Sequence, residues 1–387
     1  MRSPNFPVES RLASILEKRQ VQGNLRKLRL SSGLVDFYSN DYLGIARSEE
    51  VHNLFMRNLL ALTDKNGRQI GSTGSRLLSG NSELAEEIET KLAAFHNSES
   101  ALLFNSGYDA NLGAISAFIR PGDTVIYDEL VHASMHDGMK LSKANCIPFR
   151  HNDSNHLEEI LKAASGEKFI LVETVYSMDG DLAPLLEICD LAEEYGASII
   201  ADEAHSTGIF GKNGRGLANE LDVEYRIFAR VITFSKALGT HGAAVLTTNT
   251  AKQYLINFAR SFIYSTAASL PALLEIKTVY ELLSNTDSYQ KEAKERISFF
   301  RTELQKYPQL PFLLWSQSMI QALIIPNNFN ALTVAQTLQS AGFDMRPLMY
   351  PTIERGKERI RICLHTHNSL EDIQSLLKVL DETLVVG

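Results

Sequence analysis

Between residues 98 and 250 the sequence alternates short aliphatic runs with stretches of helical periodicity, and this alternation limits the possible folds more than any other feature. The runs are ALLFN (101–105), TVIYD (124–128), FILVE (169–173), SIIAD (198–202), VITF (231–234) and AAVLT (243–247). Helical patterns such as LEEILKAA (157–164) and PLLEICDLAEEYG (184–196) lie between them, the second closed by a glycine. Strands apolar at nearly every position are covered on both faces, and interleaved helices provide the crossovers. The pattern predicts an α/β fold built on a mostly parallel, doubly wound sheet. Ligands of such sheets bind beyond the C-terminal ends of the strands.

The remaining chain divides around this core. Residues 1–50 read as an N-terminal helix and an extended segment, 51–275 as a large α/β domain and 276–387 as a smaller α+β domain. The last contains a helix over 288–307 and strands near QALIIP (321–326) and RIRICL (359–364). In the N-terminal helix RLASILEKRQ, periodicity turns Leu12, Ile15 and Leu16 inward. Basic residues crowd the first thirty positions: Arg2, Arg11, Lys18, Arg19, Arg26, Lys27 and Arg29 against Glu9 and Glu17. Two readings stay open for them, a solvated helix face or contact with an anionic ligand. A net charge of −8 gives nucleic-acid binding no support. Cys146, Cys189 and Cys363 are too dispersed for a metal motif and suit a reducing compartment. With neither a leader-like apolar segment nor a membrane-length apolar run, the expectation is a soluble cytoplasmic protein without membrane partners.

Several strands deliver polar groups where a ligand should lie. SIIAD ends on Asp202, with His205 three residues later. A carboxylate at that depth needs a cationic partner, such as a protonated pyridine nitrogen, or backbone N–H groups that it caps. ALLFN runs into SGYDANLG, where Ser106 and Gly107 turn into a helix whose N-terminus suits a phosphate. Neither a GxGxxG nor a GxxxxGK[ST] motif is present, so a dinucleotide or a P-loop nucleotide is not the obvious guest. VITF runs into Lys236 among small residues. A snorkelling lysine is the bland alternative. Beside Asp202, His205 and the SGYDAN turn, an imine-forming lysine explains more, with Thr233 and Ser235 hydroxyls near the phosphate.

Taken together, SNDYLG (39–44), GSTGSRLLSG (71–80), SGYDANLG (106–113), DELVHASMHDG (128–138), HND (151–153), YSMDGD (176–181), DEAHSTGIFG (202–211), TFSKALG (233–239), IYSTA (263–267) and GKERIRI (356–362) resemble the α-oxoamine synthases. These are pyridoxal-phosphate enzymes of the class II aminotransferase-like group. The resemblance implies the fold type I, aspartate aminotransferase-like architecture, with pyridoxal 5'-phosphate as cofactor. It implies that Lys236 forms the imine, Asp202 pairs with the ring nitrogen and His205 lies near the ring's 3′-oxygen. His132 would stack on the ring and Ser177 approach its edge. Ser106, Gly107, Tyr108, Thr233 and Ser235 would hold the phosphate, with Thr266 reaching it from a neighbouring subunit of a homodimer. Asn40, Arg26 and Thr352 would meet the acyl substrate, and Arg361 the amino-acid carboxylate. The implied reaction is a decarboxylating condensation of an amino acid with an acyl thioester. TFSKALG with GAAVL and FIYSTA is most similar to the branch that joins L-alanine to a pimeloyl thioester, on CoA or a carrier protein. Glycine with an acetyl donor, a longer acyl donor and a non-catalytic scaffold subunit are the alternatives. The chain departs from the family at RPLMYPTIERGKERIRI (346–362), where three extra residues precede Pro351. Among the histidines, His136, His151, His241, His365 and His367 receive no role.

Overall fold

Six strands fall on the six apolar runs, within one or two residues at each end. In a computed structural model they are β1 (Ser100–Phe104), β2 (Thr124–Asp128), β4 (Lys168–Glu173), β5 (Ala197–Asp202), β6 (Ala229–Thr233) and β7 (Ala243–Thr247). Asn145–Phe149, β3, is the strand that the apolar pattern does not mark, because it is polar at its start and carries Pro148. The structure describes residues 6–28, 30, 33–66, 71–310, 316–350 and 352–385, the side chains of 63–66 and 385 excepted. Arg2, Arg29 and Pro351, each part of a reading above, lie outside the described residues.

Among the described residues these seven strands form one sheet in the order β1-β7-β6-β5-β4-β2-β3. The pairs from β6 through β3 are parallel, and β7 runs antiparallel to both β6 and β1. β1 and β6 therefore point the same way, so their C-terminal ends share one edge. Ile115, Val125, Leu171, Ile200, Val231 and Val245 belong to the core that holds the sheet and its helices together. Burial of such side chains stabilises by about 1.5–3 kcal/mol each.

Two compact units partition the chain: 40–295 with 365–367, and 1–39 with 296–364 and 368–387. The anticipated break after 275 falls inside the helix Leu270–Asn285, which packs on Glu49–Asn66 and Glu83–Phe95 and so stays with the larger unit. In the smaller unit, Pro347–Leu348, Arg359–Cys363 and Ile320–Ile324 form an antiparallel sheet, and Val35–Asp36 pairs in parallel with Phe343–Asp344.

The N-terminal helix Pro7–Val21 corrects one expectation. Leu12, Ile15 and Leu16 do not point inward; they are 48%, 50% and 54% exposed, and the helix buries none of its residues. Periodicity reports which residues share a face, not whether anything covers that face. The helix stops at Val21 and Gly23 takes a positive φ of 69°, so Arg26 lies beyond it in an irregular segment.

Candidate active site

Lys236 rides on a closed turn three residues past β6. The turn is pinned by Phe234 N–H to the Gly242 carbonyl (3.0 Å), Thr240 N–H to the Phe234 carbonyl (2.8 Å) and Gly239 N–H to the Lys236 carbonyl (2.9 Å). Gly239 is required: its φ is +61°, and a Cβ there would lie 2.4 Å from the Ala46 backbone nitrogen. Lys236 Nζ is 2.7 Å from His205 Nε2, and His205 Nδ1 is 2.8 Å from the Tyr42 hydroxyl. That hydroxyl donates to Asn40 Oδ1 at 3.0 Å. With Tyr42 donating onward, its oxygen accepts from Nδ1–H, and Nε2 presents a lone pair to Lys236.

Asp202 and Glu173 end adjacent strands at the same register. Asp202 accepts from Ala204 N–H (2.8 Å) and from Asn111 Nδ2 (2.6 Å). It is thus a local cap, as the backbone reading expected, and a buried acceptor that could also take a cationic partner. Asn111 Nδ2 also lies 3.0 Å from Ser134 Oγ, which is 2.8 Å from His132 Nδ1. His132 caps the helix Ala133–Ser142, Nδ1 accepting from Ser134 N–H. Burial pushes its pKa below the usual imidazole value; Asp202 opposes this, while Lys236 and His136 add to it. A ring held neutral presents a flat, uncharged face. Glu173 Oε2 accepts from Ser177 N–H at 3.1 Å, whereas the buried Oε1 has no partner. Burial, reinforced by Asp202 and opposed by Lys236, pushes the Glu173 carboxyl up to about 8.

Residues 106–108 carry the chain from β1 into a helix. Ser106 caps the helix Gly107–Phe118, accepting from Asp109 N–H and donating to Asp109 Oδ2 at 2.8 Å. Its hydroxyl is therefore engaged by the helix itself, and the backbone of Gly107 and Tyr108 forms the first turn. The Tyr108 hydroxyl bonds to Asp137. A Cβ on Gly107 would meet Thr233 Cγ2 at 2.5 Å, so β6 and this turn touch. Thr233 Oγ1 is buried without a partner. Ser235 and Thr266 are exposed, and the Thr266 carbonyl accepts from Asn105 Nδ2 at 2.8 Å.

Within the smaller unit, Arg26 Nη2 donates to Thr352 Oγ1 at 2.8 Å, joining two residues distant in sequence. Asn24 Nδ2 donates to the Tyr350 carbonyl at 3.1 Å beside them. Arg361 is buried in the strand Arg359–Cys363, paired with Ala322. Of the anticipated residues, the larger unit joins Lys236, His205 and Asn40 in one chain of contacts through Tyr42, and Asp202 and His132 in another through Asn111 and Ser134, with Ser177 bonded to Glu173 in register beside Asp202; the smaller unit joins Arg26 to Thr352. Sequence reasoning passed over Tyr42, Asn111 and Glu173. The available signal was at Glu173, which ends the apolar strand FILVE as Asp202 ends SIIAD.

The class I and II aminotransferase family profile matches residues 32–380. The chain belongs to this family. Within it the relatives are α-oxoamine synthases. An 8-amino-7-oxononanoate synthase of Emericella nidulans is 40% identical over 95% of this chain and 94% of its own. One from Lysinibacillus sphaericus is 35% identical over 94% and 95%. Among solved structures, a serine palmitoyltransferase from S. paucimobilis with a bound PLP–myriocin aldimine superposes at a TM-score of 0.88, with 25% identity and 99% of both chains covered. The 8-amino-7-oxononanoate synthase of Francisella tularensis superposes at 0.78, with 28% identity over 92% of this chain and 99% of its own.

The fold is accordingly that of the pyridoxal-phosphate transferases, and pyridoxal 5'-phosphate is the cofactor of this aminotransferase-family enzyme. The residues present fit it. The orphaned Thr233 Oγ1 and the Gly107 approach suit a phosphate, Asp202 suits a cationic ring nitrogen, and Lys236 supplies the amine. No helix among the described residues is long and apolar enough to cross a membrane.

Proposed function

We propose that this chain condenses L-alanine with a pimeloyl thioester, on CoA or a carrier protein, giving 8-amino-7-oxononanoate, CO2 and the free thiol in biotin biosynthesis. The observation that supports the acyl specificity is the contact of Arg26 with Thr352 in the smaller unit, an exposed guanidinium whose chemistry suits a free carboxylate. Relatives bearing that activity, matched over 95% of the chain, support the same reading.

Pyridoxal phosphate supplies an aldehyde that takes amines covalently and a ring that accepts the electron pair left by a departing proton or CO2. The chain's residues do the rest. Gly107 and Tyr108 backbone N–H groups and the Thr233 and Ser235 hydroxyls hold the phosphate, with Ser106 setting the turn. Asp202, oriented by Asn111 and Ala204 N–H, keeps the ring nitrogen protonated. His132 would cover one face of the ring, and Ser177 would close its edge. Lys236 Nζ takes the amino-acid α-proton as general base, with His205 Nε2 receiving its hydrogen bond and Tyr42 fixing the imidazole tautomer. Arg361 holds the amino-acid carboxylate in a bidentate fork until it leaves as CO2. Asn40 meets the acyl group. Thr266, exposed at the surface, completes the phosphate site of a second copy in a homodimer. A cytoplasmic setting follows from the substrates.

Purified protein given L-alanine and pimeloyl-CoA should release CoA and form the ketone, identified by mass spectrometry. A second reading is a longer-chain acyl transfer onto serine: the serine palmitoyltransferase superposes at the higher TM-score, but at 25% identity, against 40% for the 8-amino-7-oxononanoate synthase of Emericella nidulans, so it is the less favoured. Faster turnover of serine with palmitoyl-CoA would decide for it.

A further inference from the structure

His151 follows β3 and stands between two carboxylates on neighbouring loops. Its Nδ1 lies 2.9 and 3.1 Å from the two oxygens of Asp128, and its Nε2 lies 2.7 Å from Asp181 Oδ2. A neutral imidazole has one N–H and one lone pair. With a carboxylate at each nitrogen, the neutral form would set a lone pair against an anion. Both nitrogens therefore donate, and the ring is a cation.

The two carboxylates are parts of the loops that carry site residues. Asp128 is fully buried at the end of β2. It accepts from Leu130 N–H (2.9 Å) and Asn152 N–H (2.9 Å), and its carbonyl accepts from Val131 N–H (3.1 Å), which shapes the turn into His132. Asp181 closes the loop that holds Ser177. Its carbonyl accepts from Tyr176 N–H (3.0 Å), Gly180 N–H bonds to the Tyr176 carbonyl (2.9 Å), and Val175 bridges Leu182. Asn152 Nδ2 adds a bond to Asp181 Oδ2 at 2.7 Å. The Tyr176 ring stands edge-on to His151, with centroids 4.4 Å apart, and Glu129 Oε1 accepts from His151 N–H at 3.1 Å.

We propose that His151 is a positioning residue: as a doubly protonated imidazolium it ties the loop carrying Ser177 to the turn carrying His132, and so fixes two walls of the cofactor site at once. This rests on the reading of Ser177 and His132 as cofactor-facing, and not on the identity of the acyl donor. The ionisable groups facing the ring are Asp128, Asp181, Tyr176 and Glu129. Burial works against the charge, but the hydrogen bonds and charges of Asp128 and Asp181 outweigh it and hold the pKa at about 9.

Imidazole NMR shifts of labelled protein, with the His151 signal assigned by its loss in His151→Gln, test the charge state without any substrate. The expected result is a doubly protonated ring at pH 7.5, titrating near pH 9. His151→Gln should keep the circular dichroism spectrum and bind pyridoxal phosphate more weakly. Its kcat should fall about ten- to a hundredfold with little change in KM for alanine. Asp181→Asn, which keeps the loop's shape, should lower the His151 titration midpoint and move the alkaline limb of kcat the same way. A neutral ring at pH 7.5 overturns the proposal. So does a His151→Gln or Asp181→Asn protein that melts earlier yet keeps wild-type cofactor affinity and pH profile. Should His151→Gln fail to fold, the Asp181→Asn pair of measurements decides. Loss of the predicted ketone with normal titration and cofactor affinity would count against the substrate reading alone.

Discussion

Glu173 and Asp202 stand side by side at the ends of adjacent parallel strands, in register and both buried. Two carboxylates so close do not both ionise readily, and Asp202 is the one that Asn111 and Ala204 N–H support as an anion. The carboxyl of Glu173, held up to about 8, is then neutral at pH 7. Glu173→Gln should leave the apoprotein's melting temperature at pH 7 nearly unchanged, whereas Glu173→Asp should lower it. A large loss of stability in the glutamine variant would show that the carboxyl is ionised.

The same shifts set a pH dependence. Glu173 rises from 4.5 to about 8 and His151 from 6.5 to about 9, so the native state retains protons that the unfolded chain releases. Both contributions are present at low pH, below the unfolded values. The Glu173 part is lost as pH rises towards 8, and the His151 part as it rises towards 9. Denaturant titrations of the apoprotein should show stability declining from about pH 7.5 to 9, above the range where the neutral buried His96 still adds stability as pH rises, with a shallower decline in Glu173→Gln. Stability that climbs through this range would contradict both assignments.

Lys236→Ala removes the amine and leaves the turn's backbone hydrogen bonds, and that of the Thr240 hydroxyl to the Phe234 carbonyl, in place. The variant should fold, with a melting temperature within about a few degrees of the parent. It should lose turnover and the visible absorbance of a lysine-linked cofactor. Measurable condensation by this variant would place the base elsewhere.

Gly107→Ala forces a Cβ to within 2.5 Å of Thr233 Cγ2. The turn or β6 must shift, at about 1–3 kcal/mol. Titration of the apoprotein with pyridoxal phosphate should show affinity falling more than stability does. Unchanged affinity would mean that the phosphate lies away from this contact.

Arg26→Ala should raise KM for the pimeloyl thioester about tenfold or more, the loss of a charge-assisted hydrogen bond, with KM for alanine unchanged. Thr352→Ala should give a smaller effect, and the double variant less than the sum, because the two side chains are hydrogen-bonded to each other. Additive losses would mean that they act separately.

The sheet was largely readable because buried parallel strands must be apolar throughout, as FILVE and SIIAD are. Asn145–Phe149 was not, since a strand starting with a polar residue and containing Pro148 resembles a loop. Lys236 and Asp202 stand out in the sequence because each is a polar residue at or just past the end of an apolar strand, and Glu173, passed over, carries the same signal at the end of FILVE. Tyr42 and Asn111 carry none, because their importance lies in which distant side chain each one meets. Nothing in a linear pattern says that Tyr42 touches His205 across 163 positions. The exposed Leu12, Ile15 and Leu16 show the opposite failure, a well-formed stripe that no described residue of its own unit covers.

Strand β7 enters the sheet from the opposite edge to its neighbours, and its first residue, Ala243, pairs with Phe104 on one side and Thr233 on the other. This single alanine is a keystone between the strand that leads into the Ser106 turn and the strand that leads into the Lys236 turn. A bulkier residue there would disturb both at once, so the spacing between those two turns is set by a position that carries no chemistry of its own.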